Sequence, residues 1–348
     1  MMKQVELGRT GIKVNNYCLG TMTYGTQTSE EEAHHQLDLA LDAGLDFLDT
    51  AEVYPVNPMT AETAGRTEEI IGNWVAKSGK RDKWVIATKH AGARRGLRND
   101  AGVVPATIAE VVDGSLLRLQ TDYIDLYQFH WPNRTHYHFR GNWAFDPSAR
   151  PEDTETDDMM EETLDILGGL VKEGKIRAFG LSNDTAWGTM KWLETAKRTG
   201  GPRVVTMQNE YSLMCRLYDT DMAEVSYRED ISLLAFSPLA AGLLTGKYQN
   251  GAVPEGSRMT LGPQLGGRVT PRAFEAAEAY LQVGRDHGLD PVHMALAWTV
   301  TRPFPTIPIF GATTNAQLAT IAAGFDVSLS KEVLAALSKA HRAHPMPY

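Results

Sequence analysis

Four residues of complementary acid–base character stand at the ends of three successive apolar runs. Phe47-Leu48-Asp49-Thr50-Ala51-Glu52-Val53-Tyr54 passes from apolar residues to an acid, and a phenol follows in the next turn of chain. Trp84-Val85-Ile86-Ala87-Thr88-Lys89 ends on an amine, and Tyr123-Ile124-Asp125-Leu126-Tyr127-Gln128-Phe129-His130 ends on an imidazole. Each residue alone has an ordinary reading: Asp49 a loop acid, Lys89 a solvated strand end, Tyr54 a packed aromatic, His130 a satisfied core histidine. Their joint occurrence at three strand ends describes a site. A free phenol, with a pKa of about 10, is too weak an acid to protonate a carbonyl oxygen near neutrality. A lysine ammonium beside it favours the phenolate and lowers that pKa. A carboxylate paired with the lysine keeps it charged in an apolar setting, and an imidazole orients the same oxygen. Such a set polarises a C=O and delivers a proton, but it holds no hydride source, so it calls for a cofactor.

The elements around these residues alternate. Val5-Glu6-Leu7 and Ile12-Lys13-Val14 flank Gly8-Arg9-Thr10-Gly11 and predict a short hairpin that closes a barrel floor. Apolar runs that emerge into polar residues read as buried parallel strands. Eight are expected: Tyr17-Cys18-Leu19-Gly20, then runs ending at Asp49, Lys89 and His130, then 176–181, 204–207, 231–236 and 306–309. Helices are expected between them, at 29–43 (Ser29 and Glu32 form a capping box), 67–77, 105–119, 159–172, 186–198, 271–287 and 291–300. Two more follow the last strand, one starting near Asn315 and one at 331–342. This pattern predicts an α/β fold, a (β/α)8 TIM barrel with an N-terminal hairpin, as one domain over 1–348. A doubly wound sheet is the competitor, but no G-x-G-x-x-G follows a strand. The long segments 131–158 and 242–268 read as functional loops. Arg94, Arg95 and Arg98 read as a solvated loop face.

The later strand ends suit a cofactor. Ser182, Asn183 and Gln208 offer amide and hydroxyl groups for a carboxamide, and Phe236 offers a flat face for a nicotinamide ring. Ser237-Pro238-Leu239-Ala240-Ala241-Gly242 and Gly311-Ala312-Thr313-Thr314 can turn backbone N–H groups toward phosphates, with Lys247 and Arg258 between them. Gly242-Leu243-Leu244-Thr245-Gly246-Lys247 is one residue short of a P-loop, and Tyr248 stands where Ser or Thr would hold Mg²⁺. His136 and His138 lie in an irregular loop without the acids of a barrel metal site, so no metal is expected.

A 43% hydrophobic chain of 348 residues has ample material for a core, and its net charge of −9 argues against nucleic acid and anionic membranes as partners. Two cysteines, Cys18 and Cys215, point to buried thiols of a reducing compartment. With no apolar leader and no run of transmembrane length, a cytoplasmic protein is expected.

These motifs, in this order, resemble the aldo-keto reductases, and most closely the bacterial Tas-like branch, which is similar to the potassium-channel β subunits. The likeness runs nearly end to end, through Leu19-Gly20-Thr21-Met22-Thr23-Tyr24-Gly25, Leu48 to Pro55, Gln128-Phe129-His130-Trp131-Pro132, Gly180-Leu181-Ser182-Asn183, Leu243 to Tyr248 and Gly311 to Thr314. The resemblance implies a catalytic tetrad of Asp49, Tyr54, Lys89 and His130, with Tyr54 as proton donor. It implies NADPH/NADP+ as cofactor, held by Gly20, Thr21, Met22, Asp49, Ser182, Asn183, Gln208 and Phe236 at the nicotinamide end. Ser237, Pro238, Leu239 and Gly242 would line the pyrophosphate, and Lys247, Arg258, Gly311, Thr313 and Gln317 the remaining phosphates, including the 2′-phosphate. Thr320 and Ile321 stand where the family commonly has an acid and an asparagine for the adenine. The implied reaction is NADPH + R₂C=O + H⁺ going to NADP⁺ + R₂CHOH. The small-molecule substrate would be a bulky or partly apolar carbonyl compound near Tyr24, Tyr54, His130 and Trp131. The alternative is an NADPH-binding regulatory subunit with slow turnover; a glycosidase using Asp49 and Glu52 would leave Lys89 without a role.

Overall fold

A computed structural model describes residues 2–93, 96–148 and 155–348; Arg94 and Arg95 lie outside the described residues. The chain begins with an antiparallel hairpin, β1 (Gln4–Glu6) and β2 (Lys13–Asn15). Then β3 (Cys18–Gly20), α1 (Glu30–Asp42), β4 (Phe47–Asp49), α2 (Arg66–Ser78), β5 (Val85–His90), α3 (Pro105–Leu119) and β6 (Ile124–Phe129) alternate. The alternation continues with α4 (Asp157–Lys172), β7 (Ile176–Ser182), α5 (Ala186–Thr199), β8 (Val204–Glu210), α6 (Met222–Glu229) and β9 (Ser232–Phe236). Three helices, α7 (Arg258–Leu261), α8 (Pro271–Asp286) and α9 (Pro291–Thr299), precede β10 (Thr306–Phe310), and α10 (Asn315–Ala322) and α11 (Lys331–Ala343) complete the order. Strands β3 to β10 form a closed parallel barrel in chain order, β10 pairing with β3. The architecture is a (β/α)8 TIM barrel with an N-terminal hairpin, as the alternation predicts.

The strands form because both of their faces are covered. All six residues of β6 are buried, as a parallel strand between a packed lumen and a helical layer requires. Each helix contributes a stripe to that layer. In α1, Ala33, Gln36, Leu37 and Ala40 recur at helical spacing and are buried. Ser29 accepts from the Glu32 N–H at 3.2 Å as its cap. Glu32 turns its own carboxylate elsewhere, accepting from the Asn315 N–H at 3.1 Å and so joining α1 to α10. The hairpin closes the barrel floor: Leu7, Ile12 and Val14 share one apolar cluster with Phe47, Leu126 and Leu234 from the strands. Gly20 sits at the β3–β10 seam, where an added Cβ would lie 2.8 Å from Ile309 Cγ2.

Several strands run further than their apolar stretches. β5 extends to His90, β7 to Ser182 and β8 to Glu210, because ladder bonds continue after hydrophobicity has ended; Glu210 still registers with Phe236. α6 also escapes the sequence pattern, since its eight residues bury only Met222 and Ser226. The 242–268 connection is folded into 3₁₀ turns and α7. No helix among the described residues is long and apolar enough to cross a membrane.

Candidate active site

The strands place Asp49, Lys89 and His130 at adjacent positions on the carboxyl rim of β4, β5 and β6. The Lys89 Nζ donates to Asp49 Oδ2 at 2.6 Å and to the Thr50 carbonyl at 2.7 Å, and both side chains are buried. Gln208 Nε2 donates to the other carboxylate oxygen of Asp49 at 2.8 Å, and Gln128 Nε2 approaches it at 3.4 Å. A buried ion pair keeps its charge only where its remaining hydrogen-bonding capacity is met, as here. Tyr54 is carried above this pair by a short loop stitched to β5: the Thr50 N–H donates to the Ala87 carbonyl at 2.9 Å and the Glu52 N–H to the Lys89 carbonyl at 3.1 Å. Lys89 Nζ lies 4.9 Å from the centre of the Tyr54 ring. The His130 ring meets that of Tyr54 edge-on, centroids 5.7 Å apart, and Trp131 stacks obliquely on His130 at 4.6 Å.

The electrostatics correct one expectation. Burial would strip Lys89 of its proton, but Asp49 and the Tyr54 oxygen outweigh it and hold its pKa above the ordinary lysine value. Burial raises the Tyr54 phenol and the Lys89 ammonium pulls it back; Asp49 pushes it up again, and the balance lies above the ordinary phenol. The lysine therefore opposes desolvation of the phenol rather than making it an acid stronger than tyrosine in water.

Tyr24, expected near substrate, is fully buried in the outer core, and its hydroxyl has no protein partner among the described residues. One further expectation changes. Arg98, expected to be solvated, is half-buried and ion-paired with Glu52, which also accepts from the Ala91 N–H at 2.8 Å. Trp131 is buried with Ala51, Val53 and Ala91 against Tyr54, so it backs the phenol.

The opposite arc of the rim has a different character. Ser182 donates to the Gln208 carbonyl at 2.8 Å, and Asn183 Nδ2 donates to the His130 carbonyl at 2.9 Å. Those bonds fix the Asn183 amide with its Oδ1 buried and without a protein partner among the described residues. Asn183 and Ser237 both have positive φ, 51° and 53°. Such left-handed conformations in non-glycine residues concentrate at functional sites. Gly20 is followed by Thr21, whose N–H and hydroxyl both donate to the Asp49 carbonyl, at 3.1 and 2.8 Å. The Met22 carbonyl accepts from Val56 at 3.0 Å. Pro238 is buried and Leu239 half-buried in the turn after β9, where the Gly242 N–H donates to the Leu239 carbonyl at 2.9 Å. Thr313 and Gln317 meet each other at the start of α10, the Thr313 N–H donating to Gln317 Oε1 at 2.8 Å, beside exposed Gly311.

A model of the aldo/keto reductase family matches residues 16–342. The chain belongs to the aldo/keto reductase family. It is 42% identical over 351 residues to the Escherichia coli protein tas, covering 99% of both chains. It is 33% identical to the uncharacterized oxidoreductase YrpG of Bacillus subtilis, covering 97% of this chain and 95% of that one. A probable voltage-gated potassium channel subunit beta of Arabidopsis thaliana is 29% identical over 91% of this chain and 89% of its own.

Aldo-keto reductases use nicotinamide cofactors, and the arc formed by β7 to β10 fits one. Asn183 lines the cleft, and its buried Oδ1 is an acceptor without a protein donor among the described residues. Gly242, at φ 100°, sits so close to the Lys247 side chain that an added Cβ would lie 2.9 Å from Lys247 Cε. Lys247 rests over the Tyr248 ring at 5.1 Å, and neither Lys247 nor Arg258 forms an ion pair with a carboxylate among the described residues. Burial and then the neighbouring Arg268 push the Arg258 pKa down to about 10, as expected of cations crowded where an anion would relieve them.

Sequence reasoning missed the group that joins the loops over the mouth. Glu210 is buried and accepts from Arg140 Nη1 at 2.9 Å, Arg268 Nε at 2.8 Å and the Tyr348 hydroxyl at 3.3 Å. The two arginines hold its carboxyl below the usual range against burial, which alone would raise it. One signal could have found it: Glu210 lies two residues beyond Gln208 on a strand, hence on the same face. Arg140 and Arg268 lie in irregular segments where no periodicity marks them. His138 Nε2 contacts the Asp184 carbonyl at 2.9 Å, and no group of three or more potential metal ligands gathers among the described residues.

Proposed function

We propose that this aldo-keto reductase is an NADPH-dependent reductase of aldehydes and ketones in which Tyr54 protonates the carbonyl oxygen. The observation that carries the reading is the buried Lys89–Asp49 pair, at 2.6 Å, directly beneath the Tyr54 ring. In that setting a carbonyl oxygen near Tyr54 accepts a hydrogen bond from the phenol and, as it becomes an alkoxide, takes its proton. Lys89 then stabilises the phenolate left behind, and Asp49 keeps Lys89 charged. His130 orients the substrate oxygen. When bound, the cofactor supplies the hydride that these side chains cannot.

Ser182, Asn183 and Gln208 would hold the carboxamide and Phe236 the ring face. Gly20, Thr21 and Met22 would border the ring, and Ser237, Pro238, Leu239 and Gly242 the pyrophosphate. Lys247, Arg258, Gly311, Thr313 and Gln317 would take the remaining phosphates, with Arg258 reading the 2′-phosphate. Thr320 is occupied locally, its hydroxyl donating to the Ala316 carbonyl at 3.0 Å, and Ile321 is buried, so neither serves the adenine. Phe139, Trp143 and Phe145 are exposed in the loop after β6 and suit a bulky, partly apolar substrate. We take residues 1–348 as one catalytic domain working in the cytoplasm, consistent with two free thiols.

Steady-state NADPH oxidation with a panel of aldehydes and ketones tests this reading. Turnover dependent on Tyr54 supports it. The likeness to potassium channel β subunits supports one rival, a redox-sensing subunit: tight NADPH binding with turnover of none of the panel would favour that.

A further inference from the structure

A cleft opens beside Asn183 and Phe236, walled by Tyr137, Phe139 and Tyr348. Its polar lining is out of proportion to such walls. Arg140 Nε, Asn142 Nδ2 and Asn209 Oδ1 are buried, line this cleft and have no protein partner among the described residues. Buried donors and acceptors without partners cost about 1–3 kcal/mol each, so three beside one cleft favour a ligand whose polar groups complete them.

The orientations carry information. Asn209 Nδ2 donates to the Asp184 carbonyl at 3.1 Å, which fixes its Oδ1 as the acceptor on the cleft side. Arg140 is fixed by Nη1 donating to Glu210, leaving Nε as a donor. The cleft therefore offers both donors and an acceptor. Its charges are already spent on one another: Glu210 lies between Arg140 and Arg268, and Arg216 is paired with Asp219. A carboxylate could not donate to Asn209 and would face Glu210. An ammonium group would face Arg140. A neutral hydroxyl both donates and accepts and so meets this set, and it is more compact than a carboxamide, which does the same.

We infer that Arg140, Asn142 and Asn209 form a substrate subsite for a neutral hydroxyl group, so that the preferred substrates are hydroxylated carbonyl compounds with a flat or apolar spine against the aromatic walls. The inference rests on the reductase reading and sharpens it. A site built to hydrogen-bond a hydroxyl rejects the analogue lacking one far more strongly than an apolar pocket rejects a change in size.

The test compares benzaldehyde, 4-(hydroxymethyl)benzaldehyde and 4-carboxybenzaldehyde as substrates of the full chain with NADPH. The hydroxymethyl compound is expected to exceed benzaldehyde at least about fivefold in kcat/KM, with the carboxylate the poorest of the three. Arg140→Lys retains a cation for Glu210 but has no Nε donor, and Asn142→Ala removes the amide from a half-buried loop position. Each is expected to bring the hydroxymethyl preference to within about twofold of unity. Equal kcat/KM for the first two compounds in the native protein, or an undiminished preference in both variants, overturns the subsite. Failure to reduce any of the three would remove the reductase reading instead. In that event, titration with 1,4-benzenedimethanol, followed by intrinsic tryptophan fluorescence, decides the subsite alone: weaker binding by Arg140→Lys upholds it, and absent or unaltered binding overturns it.

Discussion

On the arc of the mouth formed by β4, β5 and β6, the charged groups are completed from within the protein. Lys89 has Asp49 and the Thr50 carbonyl, and Asp49 has Lys89 and Gln208. On the arc formed by β7 to β10, groups stand incomplete: Asn183 Oδ1 lacks a protein donor, and Lys247 and Arg258 lack carboxylates among the described residues. The first arc sits on strand ends and one short loop; the second relies on turns with positive φ and on the 242–268 connection. The difference teaches how the two tasks are divided. Proton transfer needs groups whose charge is fixed before a substrate arrives, so they are paired and desolvated in advance. Holding a polyanionic cofactor needs groups whose partners are supplied by the ligand, so they are kept unpaired until it binds.

If that division holds, breaking the completed arc should cost most. Lys89→Met strands the Asp49 carboxylate in a buried site; we expect about 3 kcal/mol less stability by chemical denaturation and about a thousandfold lower kcat. A stability unchanged from the native protein would mean that the pair is not the completed unit described here. Next in size, Arg258→Ala should weaken NADPH about thirtyfold in a fluorescence titration while changing NADH affinity less than threefold, since one charged contact to phosphate contributes about 2 kcal/mol. Equal losses would show that Arg258 does not read the 2′-phosphate. A smaller effect, about tenfold in cofactor affinity with little change in stability, is expected for Asn183→Ala, because the acceptor it removes is completed only by the ligand.

The smallest effect concerns pH. The Tyr54 pKa lies above the ordinary phenol value, so its donor form persists throughout the neutral range and is lost only as pH rises past that raised pKa. Reduction should therefore stay nearly flat from mildly acidic to mildly alkaline pH and fall only in strong alkali. The reverse reaction, which needs phenolate, should climb with pH over the same span. A fall in reduction near neutrality would contradict the assignment of Tyr54 as donor.

The completed arc was also the more legible one. Asp49, Lys89 and His130 follow apolar runs, so the change from buried to polar residues marks the strand end in the sequence itself. The Ser29 cap and the floor-closing hairpin were legible for the same reason, being local patterns. Electrostatic balance was not: the sequence shows the ammonium that lowers the Tyr54 pKa but not the burial that outweighs it. Glu210, Arg140, Arg268 and Tyr348 meet across segments far apart in the chain, and only the closed barrel brings them together. Arg98 misled because its partner Glu52 lies on the loop after the neighbouring strand, a contact that no local pattern marks.

The central claim is that Tyr54 supplies the proton and takes little part in holding the cofactor. Its most direct test is Tyr54→Phe, with kcat for a reactive aldehyde and the Kd for NADPH measured on one preparation. The account predicts a loss of at least about a thousandfold in kcat with the Kd within about threefold of the native value. Turnover within tenfold of native in that variant, with the cofactor bound, would contradict it.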